Sequence, residues 1–285
     1  MRQVLSLALI GLLSCGNEDA GADERPDIVV TTNILGDVVQ EVVGDLADVN
    51  VIMPIGADPH DFAPSTRQAE AMADADLLVV NGAGFEEGLT DLIDAGAPTF
   101  TFANHVELIG DDPHLWTDPS RMAAGVATFG ARLAELDGID ADAVQAQAGQ
   151  YVAELEALDA EMEATLDAVP PERRVLVTNH EVFAYFADRF DFELLGAVIP
   201  SLTTGAQASA ADLDDLAALI EETGVPAIFA ETTGSTELAD ALADEVDDVE
   251  VVELFTESLG EEGSGAETYV DMMRTNADLV AGALR

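Results

Sequence analysis

Residues 140–168 read DADAVQAQAGQYVAELEALDAEMEATLDA, and this stretch decides how the rest of the chain is divided. Its apolar positions Val144, Ala148, Val152, Leu155, Leu158, Met162 and Leu166 recur every three or four residues, with Glu and Gln between them. That spacing predicts one long amphipathic helix. At 1.5 Å per residue it is about 40 Å long, the width of a domain. Pro170-Pro171 ends it. The apolar seam runs for few heptads and lacks cationic flanking partners, which disfavours a coiled coil. A rigid spine joining two domains is the expectation.

On both sides of the spine, strands and helices alternate. Before it, strands are expected at Ile28–Thr31, Val49–Met53, Asp76–Asn81 and Thr99–Phe102. Helices are expected at Ile34–Val43, after Ser65 or Thr66, at Phe85–Ala95, and from a Ser120 cap to about Leu136. After it, strands are expected at Val175–Thr178, Leu194–Ile199, Ala227–Glu231 and Glu250–Phe255. The helices there are expected at Glu181–Arg189, Ala208–Thr223, Glu237–Val246 and Ala266–Leu284. Such alternation implies α/β architecture with largely parallel sheets. The expected organisation is an N-terminal lobe at 26–139, a linking helix at 140–169 and a C-terminal lobe at 170–285.

Composition limits the function classes. With 285 residues, 48% of them apolar, the chain can bury a sizeable core. Its net charge of −47 comes from 57 acidic residues against 10 arginines, with no lysine. A phosphate backbone needs a basic surface, so nucleic acid is excluded as a partner. The acidity itself speaks to solubility in a salty or cation-rich setting.

The N-terminus points to export. Arg2 precedes an apolar run, Val4–Leu13, too short to span a bilayer as a helix but the size of a secretory signal core. Residues 1–14 are therefore expected to be a signal peptide. Leu12-Leu13-Ser14-Cys15 resembles a bacterial lipobox, in which cleavage leaves a lipidated Cys15; the alternative is an ordinary signal peptide with an incidental cysteine. Residues 15–25 are small and acidic, as a flexible tether would be. Cys15 is the only cysteine, which excludes an intrachain disulfide and a multi-cysteine zinc site.

Histidine is scarce and repeated in context. Of four histidines, two close the same tripeptide, Asp58-Pro59-His60 and Asp112-Pro113-His114, and His180 follows the strand-like Arg174–Asn179. Proline fixes its own φ and restricts the preceding residue, so each unit holds an imidazole on a stiff loop. Neutral imidazole is the commonest metal ligand in proteins. His60 falls after a strand, where ligands gather in parallel sheets. Glu231 and Glu257 also end strands, and either could supply a fourth ligand beside His180.

At these residues the chain resembles the solute-binding proteins of bacterial zinc and manganese ABC transporters. The likeness is carried by Gly56–Pro64, Asp112–Pro119, Thr178–Phe186, Phe229–Glu231 and Tyr269–Asn276, in that order. It implies two α/β lobes joined by one rigid helix, with the metal in the cleft between them. It implies the ligands His60 and His114 from the first lobe, His180 from the second, and Glu257 where the family commonly has Asp. It also implies no enzyme activity, but a monomer in the cell envelope, periplasmic or lipid-anchored at Cys15, that gives its ion to an ABC transporter permease. Family members that carry manganese usually place Glu at the third position. His180 therefore favours Zn2+ over Mn2+, since three nitrogen ligands suit zinc better than an oxygen-preferring ion.

Other readings remain. A zinc-dependent hydrolase needs an open coordination position and a base, which Glu231 beside a bound water would provide, but no His-Glu-x-x-His pair occurs. A cell-adhesion role is sometimes attached to lipid-anchored relatives, and nothing here supports it specifically. His105 reads as a solvated loop residue and Trp116 as a wall beside the site. Asp61, Asp118 and Glu181 are candidates to orient the imidazoles, or else cap helices or face solvent.

Overall fold

The computed structural model describes residues 25–246 and 248–285. The expected signal peptide, the lipobox with Cys15 and nearly all of the tether lie outside the described residues.

Two four-stranded sheets form, one on each side of the long helix in sequence. The first contains β1 (Asp27–Val30), β2 (Asp48–Val51), β3 (Leu77–Val80) and β4 (Thr99–Thr101), in the order β2-β1-β3-β4. The second contains β5 (Val175–Thr178), β6 (Glu193–Ala197), β7 (Ala227–Glu231) and β8 (Glu250–Leu254), in the order β6-β5-β7-β8. Every pairing is parallel. Parallel sheets are covered on both faces, which is why β3 is apolar throughout and β7 is apolar up to Glu231, both buried from end to end. The fold is thus two parallel α/β lobes, as the alternation of elements implied.

The helices are α1 (Asn33–Val43), α2 (Thr66–Asp74), the one-turn α3 (Thr90–Ile93), α4 (Pro119–Leu133) and α5 (Ala141–Leu166) in the first part. In the second part they are α6 (Ala184–Phe190), α7 (Ala210–Thr223), α8 (Glu237–Glu245) and α9 (Tyr269–Leu284). Short polar side chains start most of them. Thr32, Asp140 and Thr268 each accept a first-turn N–H, and Ser65 and Ser209 close reciprocal capping boxes.

Helix α5 has 26 residues, about 39 Å at 1.5 Å per residue. Its buried face is Val144, Ala148, Tyr151, Leu155, Leu158, Met162 and Leu166. Tyr151 replaces the expected Val152, which is only half-buried; the stripe steps by three there rather than by four. This face packs against α4 and α1 from the first lobe and against α9 from the chain's end. One apolar cluster consequently runs from Ile28 through α5 to Phe229 and Leu284. Two smaller clusters cover the other sheet faces, one around Val29, Leu78 and Val80 and one around Val177, Ile228 and Ala230.

Two local expectations fail for identifiable reasons. Phe85–Ala95 is not one helix but a 3-10 turn at Glu87–Leu89 running into α3. Glu86 turns inward instead, accepting hydrogen bonds from Asn81 N–H, Gly82 N–H and the Thr31 hydroxyl, and so closes the loop. Ser120 does not cap α4. Asp118 does, with Pro119 at the first helical position, where proline's fixed φ fits.

Helices α4 and α5 meet at Gly130, where an added Cβ would lie 2.4 Å from the Ala148 Cβ. Gly130→Ala is expected to lower the melting temperature, overpacking by about 1–3 kcal/mol against a helix-propensity gain of about 1 kcal/mol. Adding Ala148→Gly should recover part of the loss. A Gly130→Ala variant that melts higher than the parent would show that the helices are not in such close contact.

Candidate metal centre

Each of the four residues singled out in the sequence leaves the carboxyl end of a strand. His60 lies on the loop after β2, His114 on the segment between β4 and α4, His180 just after β5, and Glu257 just after β8. All four are buried, and one ligand atom from each lies within 4.8 Å of the others. This is the one such cluster among the described residues.

The two Asp-Pro-His units fold alike at the backbone. Asp58 Oδ1 accepts the His60 N–H at 2.9 Å, and Asp112 Oδ1 accepts the His114 N–H at 2.9 Å. Each aspartate thereby closes a small turn onto the residue two ahead, and the proline between them stiffens it. The units differ at the imidazole. Asp112 Oδ1 also reaches His114 Nδ1 at 2.7 Å, whereas Asp58 Oδ2 accepts from the Thr204 hydroxyl at 2.6 Å. His60 Nδ1 is buried without a hydrogen-bond partner among the described residues.

The opposite ring nitrogens converge. Glu257 Oε1 is 2.9 Å from His60 Nε2, 3.2 Å from His180 Nε2 and 3.4 Å from His114 Nε2. His114 Nε2 and His180 Nε2 are 3.3 Å apart. A tetrahedral zinc ion bonded at 2.0–2.1 Å needs ligand atoms about 3.3 Å from one another. Four of the six separations among these atoms match that spacing, and all four atoms lie within 4.8 Å of one another.

Glu231 lies on the far side of His180, where its Oε1 meets Nδ1. It is consequently placed to orient the imidazole rather than to share an ion with Nε2. Asp112 has the same relation to His114. When Nδ1–H donates to a carboxylate, the tautomer is fixed and the Nε2 lone pair is left for a metal. The sequence candidates for this task have other surroundings. Asp61 and Glu181 are exposed, and Asp118 is the α4 cap. His105 is exposed too, stacked on Phe100 with ring centroids 4.5 Å apart.

Aromatic rings enclose the cluster. Phe85 stands edge-on to His60 at 5.1 Å between centroids, and Trp116 lies 5.3 Å from His114. Both are nearly inaccessible to water, and Trp116 anchors itself by donating Nε1–H to the Thr256 carbonyl at 2.7 Å. Sequence reasoning placed Trp116 here but missed Phe85, which it had assigned to a helix.

The electrostatics follow from carboxylates facing imidazoles in a dry space. Burial opposes charge on His180, but Glu231 and Glu257 override it and push its pKa up to about 10. Burial likewise opposes charge on His114, and Asp112 and Glu257 raise its pKa. Burial disfavours ionised Glu257, yet the three imidazoles hold its carboxyl well below the usual range. Without a metal, these carboxylates favour protons on His114 and His180.

Two parallel α/β lobes with a buried cluster at the strand ends are the architecture of a solute-binding protein. The chain belongs to the family described as zinc-uptake complex component A, periplasmic, whose model matches residues 28–283. A manganese-binding lipoprotein, MntA, of Halalkalibacterium halodurans is 31% identical over 99% of this chain and 96% of its own length. The zinc-binding protein TroA of Treponema pallidum is 31% identical over 94% of this chain and 92% of its own. The solved structure of periplasmic TroA matches with a TM-score of 0.85 at 28% identity, over 91% of this chain and 99% of that one. A manganese-bound periplasmic metal-binding protein from Candidatus Liberibacter asiaticus shares the fold, with a TM-score of 0.83 at 22% identity over 92% of this chain and all of that one. The family is one of binding proteins, not enzymes.

His180 stabilises the metal-free fold fully below its unfolded value of about 6.5, and that contribution is lost as the pH rises toward about 10. With no lysine in the chain, few other groups titrate in this window. The melting temperature of chelator-treated protein should fall from about pH 7 to about pH 10, and His180→Gln should flatten the decline. An undiminished slope in the variant would assign the effect elsewhere.

Proposed function

We propose that this chain is an extracytoplasmic solute-binding protein that captures one divalent metal ion, zinc by preference, for an ABC importer. The ligands are His60 Nε2, His114 Nε2, His180 Nε2 and a Glu257 carboxylate oxygen. The observation that carries this reading is the convergence of those four atoms, which lie within 4.8 Å of one another with four of their six separations at 2.9–3.4 Å. Three imidazoles and a single carboxylate suit zinc; manganese favours oxygen-rich, six-coordinate surroundings.

Capture exchanges protons for metal. An incoming ion displaces the protons held on His114 and His180, while the Glu257 carboxylate is already ionised and attracts it. Asp112 and Glu231 keep the rings aimed inward throughout. Phe85 and Trp116 keep water from competing for the ion. Delivery is to a transporter permease, and the molecule acts as a monomer. The lipobox reading places it in the cell envelope, tethered through lipidated Cys15.

A manganese carrier is the second reading, and one observation favours it. Glu257 Oε2 is buried without a partner among the described residues, so the carboxylate has a second oxygen to offer a larger ion. Relatives carry both names, manganese more often than zinc.

Calorimetry on the mature protein should show one tight zinc site, with His114→Ala weaker by orders of magnitude. Manganese should fail to displace zinc at equal concentration; displacement would establish the manganese reading. Because ligating imidazoles must lose their protons, affinity should rise with pH and continue rising above the ordinary imidazole pKa of about 6.5. Proton release should appear as a buffer-dependent binding heat. Affinity independent of pH would exclude three imidazole ligands.

A further inference from the structure

Of the four proposed ligands, Glu257, like the His60 ring, has no hydrogen-bond partner outside the site. Its Oε1 meets only the three imidazoles, and its Oε2 has no partner among the described residues. No backbone or side-chain donor outside the site fixes the carboxylate. Its position must therefore be set by the backbone of its loop, a longer lever than aspartate would need.

That loop leaves β8 in the second lobe, yet its flanking hydrogen bonds go to the first. Before Glu257, the Thr256 carbonyl accepts Trp116 Nε1–H at 2.7 Å. After it, Ser258 Oγ accepts Gly56 N–H at 2.8 Å and Asn33 Nδ2–H at 3.1 Å. Asn33 Oδ1 in turn accepts the Leu259 N–H at 2.8 Å. Asn33 also donates from Nδ2 to the Pro54 carbonyl at 3.1 Å. Pro54 and Gly56 belong to the loop that ends at His60. A single amide, at the start of α1, thus joins the His60 loop to the Glu257 loop. Both Asn33 and Ser258 are buried, at 8% and 1% exposure, so water does not compete for these bonds. Helix α1 does not need the amide, because Thr32 already supplies its cap.

We propose that Asn33 and Ser258 are positioning residues that set the Glu257 carboxylate against the three imidazoles. They hold the loops of two ligands, one from each lobe, in a single register. The proposal rests on the ligand assignment made above. Residues that orient metal ligands without touching the ion affect affinity by about 10–100-fold when removed, and that is the effect expected here.

Cobalt(II) is the probe, because four-coordinate cobalt absorbs visible light far more strongly than the six-coordinate ion. The parent protein should take up one cobalt with the intense bands of a tetrahedral site. Asn33→Ala should weaken cobalt binding by about 10–100-fold and shift its spectrum toward that of Glu257→Ala. In a Glu257→Ala background, adding Asn33→Ala should cost less affinity than it does in the parent, since the part of its action that passes through Glu257 has been removed. Ser258→Ala should show the same signature, and carries the test if Asn33→Ala does not fold. A parental spectrum and affinity in the folded variants would overturn the positioning role. So would an equal loss of affinity in both backgrounds, which is what general loosening of the fold produces. A parent protein that binds no cobalt would instead overturn the metal site itself.

Discussion

A carboxylate with no exposure to water, Glu257, meets three imidazoles at 2.9–3.4 Å, and the rest of the structure depends on how that contact is balanced. An ionised carboxylate in a dry site is untenable unless positive charge is placed beside it. Protons on the imidazoles supply that charge in one state, and a divalent ion supplies it in the other. The two are mutually exclusive, because a metal needs the lone pair that a proton occupies. Asp112 and Glu231 bias the balance, since each stabilises charge on the imidazole it faces while keeping the ring aimed at the ion.

The fold supplies the convergence. Two sheets with the same strand order present their carboxyl ends to one region, and helix α5 is gripped by α1, α4 and α9. Because a single apolar cluster passes through α5 into both halves, the lobes are not independent bodies joined by a thread. A site built from loops of both lobes can then be held in a fixed arrangement. Hydrogen bonds between those loops, at Asn33, Ser258 and Trp116, complete the register.

Much of this was legible in the sequence, and the parts that were not share a cause. Seven apolar positions announced α5, and short apolar runs announced β1, β3, β5 and β7. The scarcity of histidine and the repeated Asp-Pro-His units singled out His60 and His114, and the strand before His180 placed the third. Asp112 was legible in principle, since its bonds to His114 span two residues and the same turn recurs at Asp58. Glu231 was legible as a strand-end carboxylate beside His180, but its place at Nδ1 was not, because that contact exists only once β5 and β7 are neighbours. Strand order is not written in periodicity. Phe85 was misplaced for a related reason: Glu86 turns into the core to satisfy backbone donors, and that demand outweighs local helix propensity.

In the proposed site, three imidazoles and one carboxylate close around a single ion. X-ray absorption at the zinc edge, on protein loaded with one equivalent, measures this directly. A shell of four nitrogen or oxygen atoms at about 2.0 Å, with multiple scattering from three imidazole rings, is the predicted result. A six-coordinate shell rich in oxygen, or scattering from fewer than three imidazoles, would contradict it.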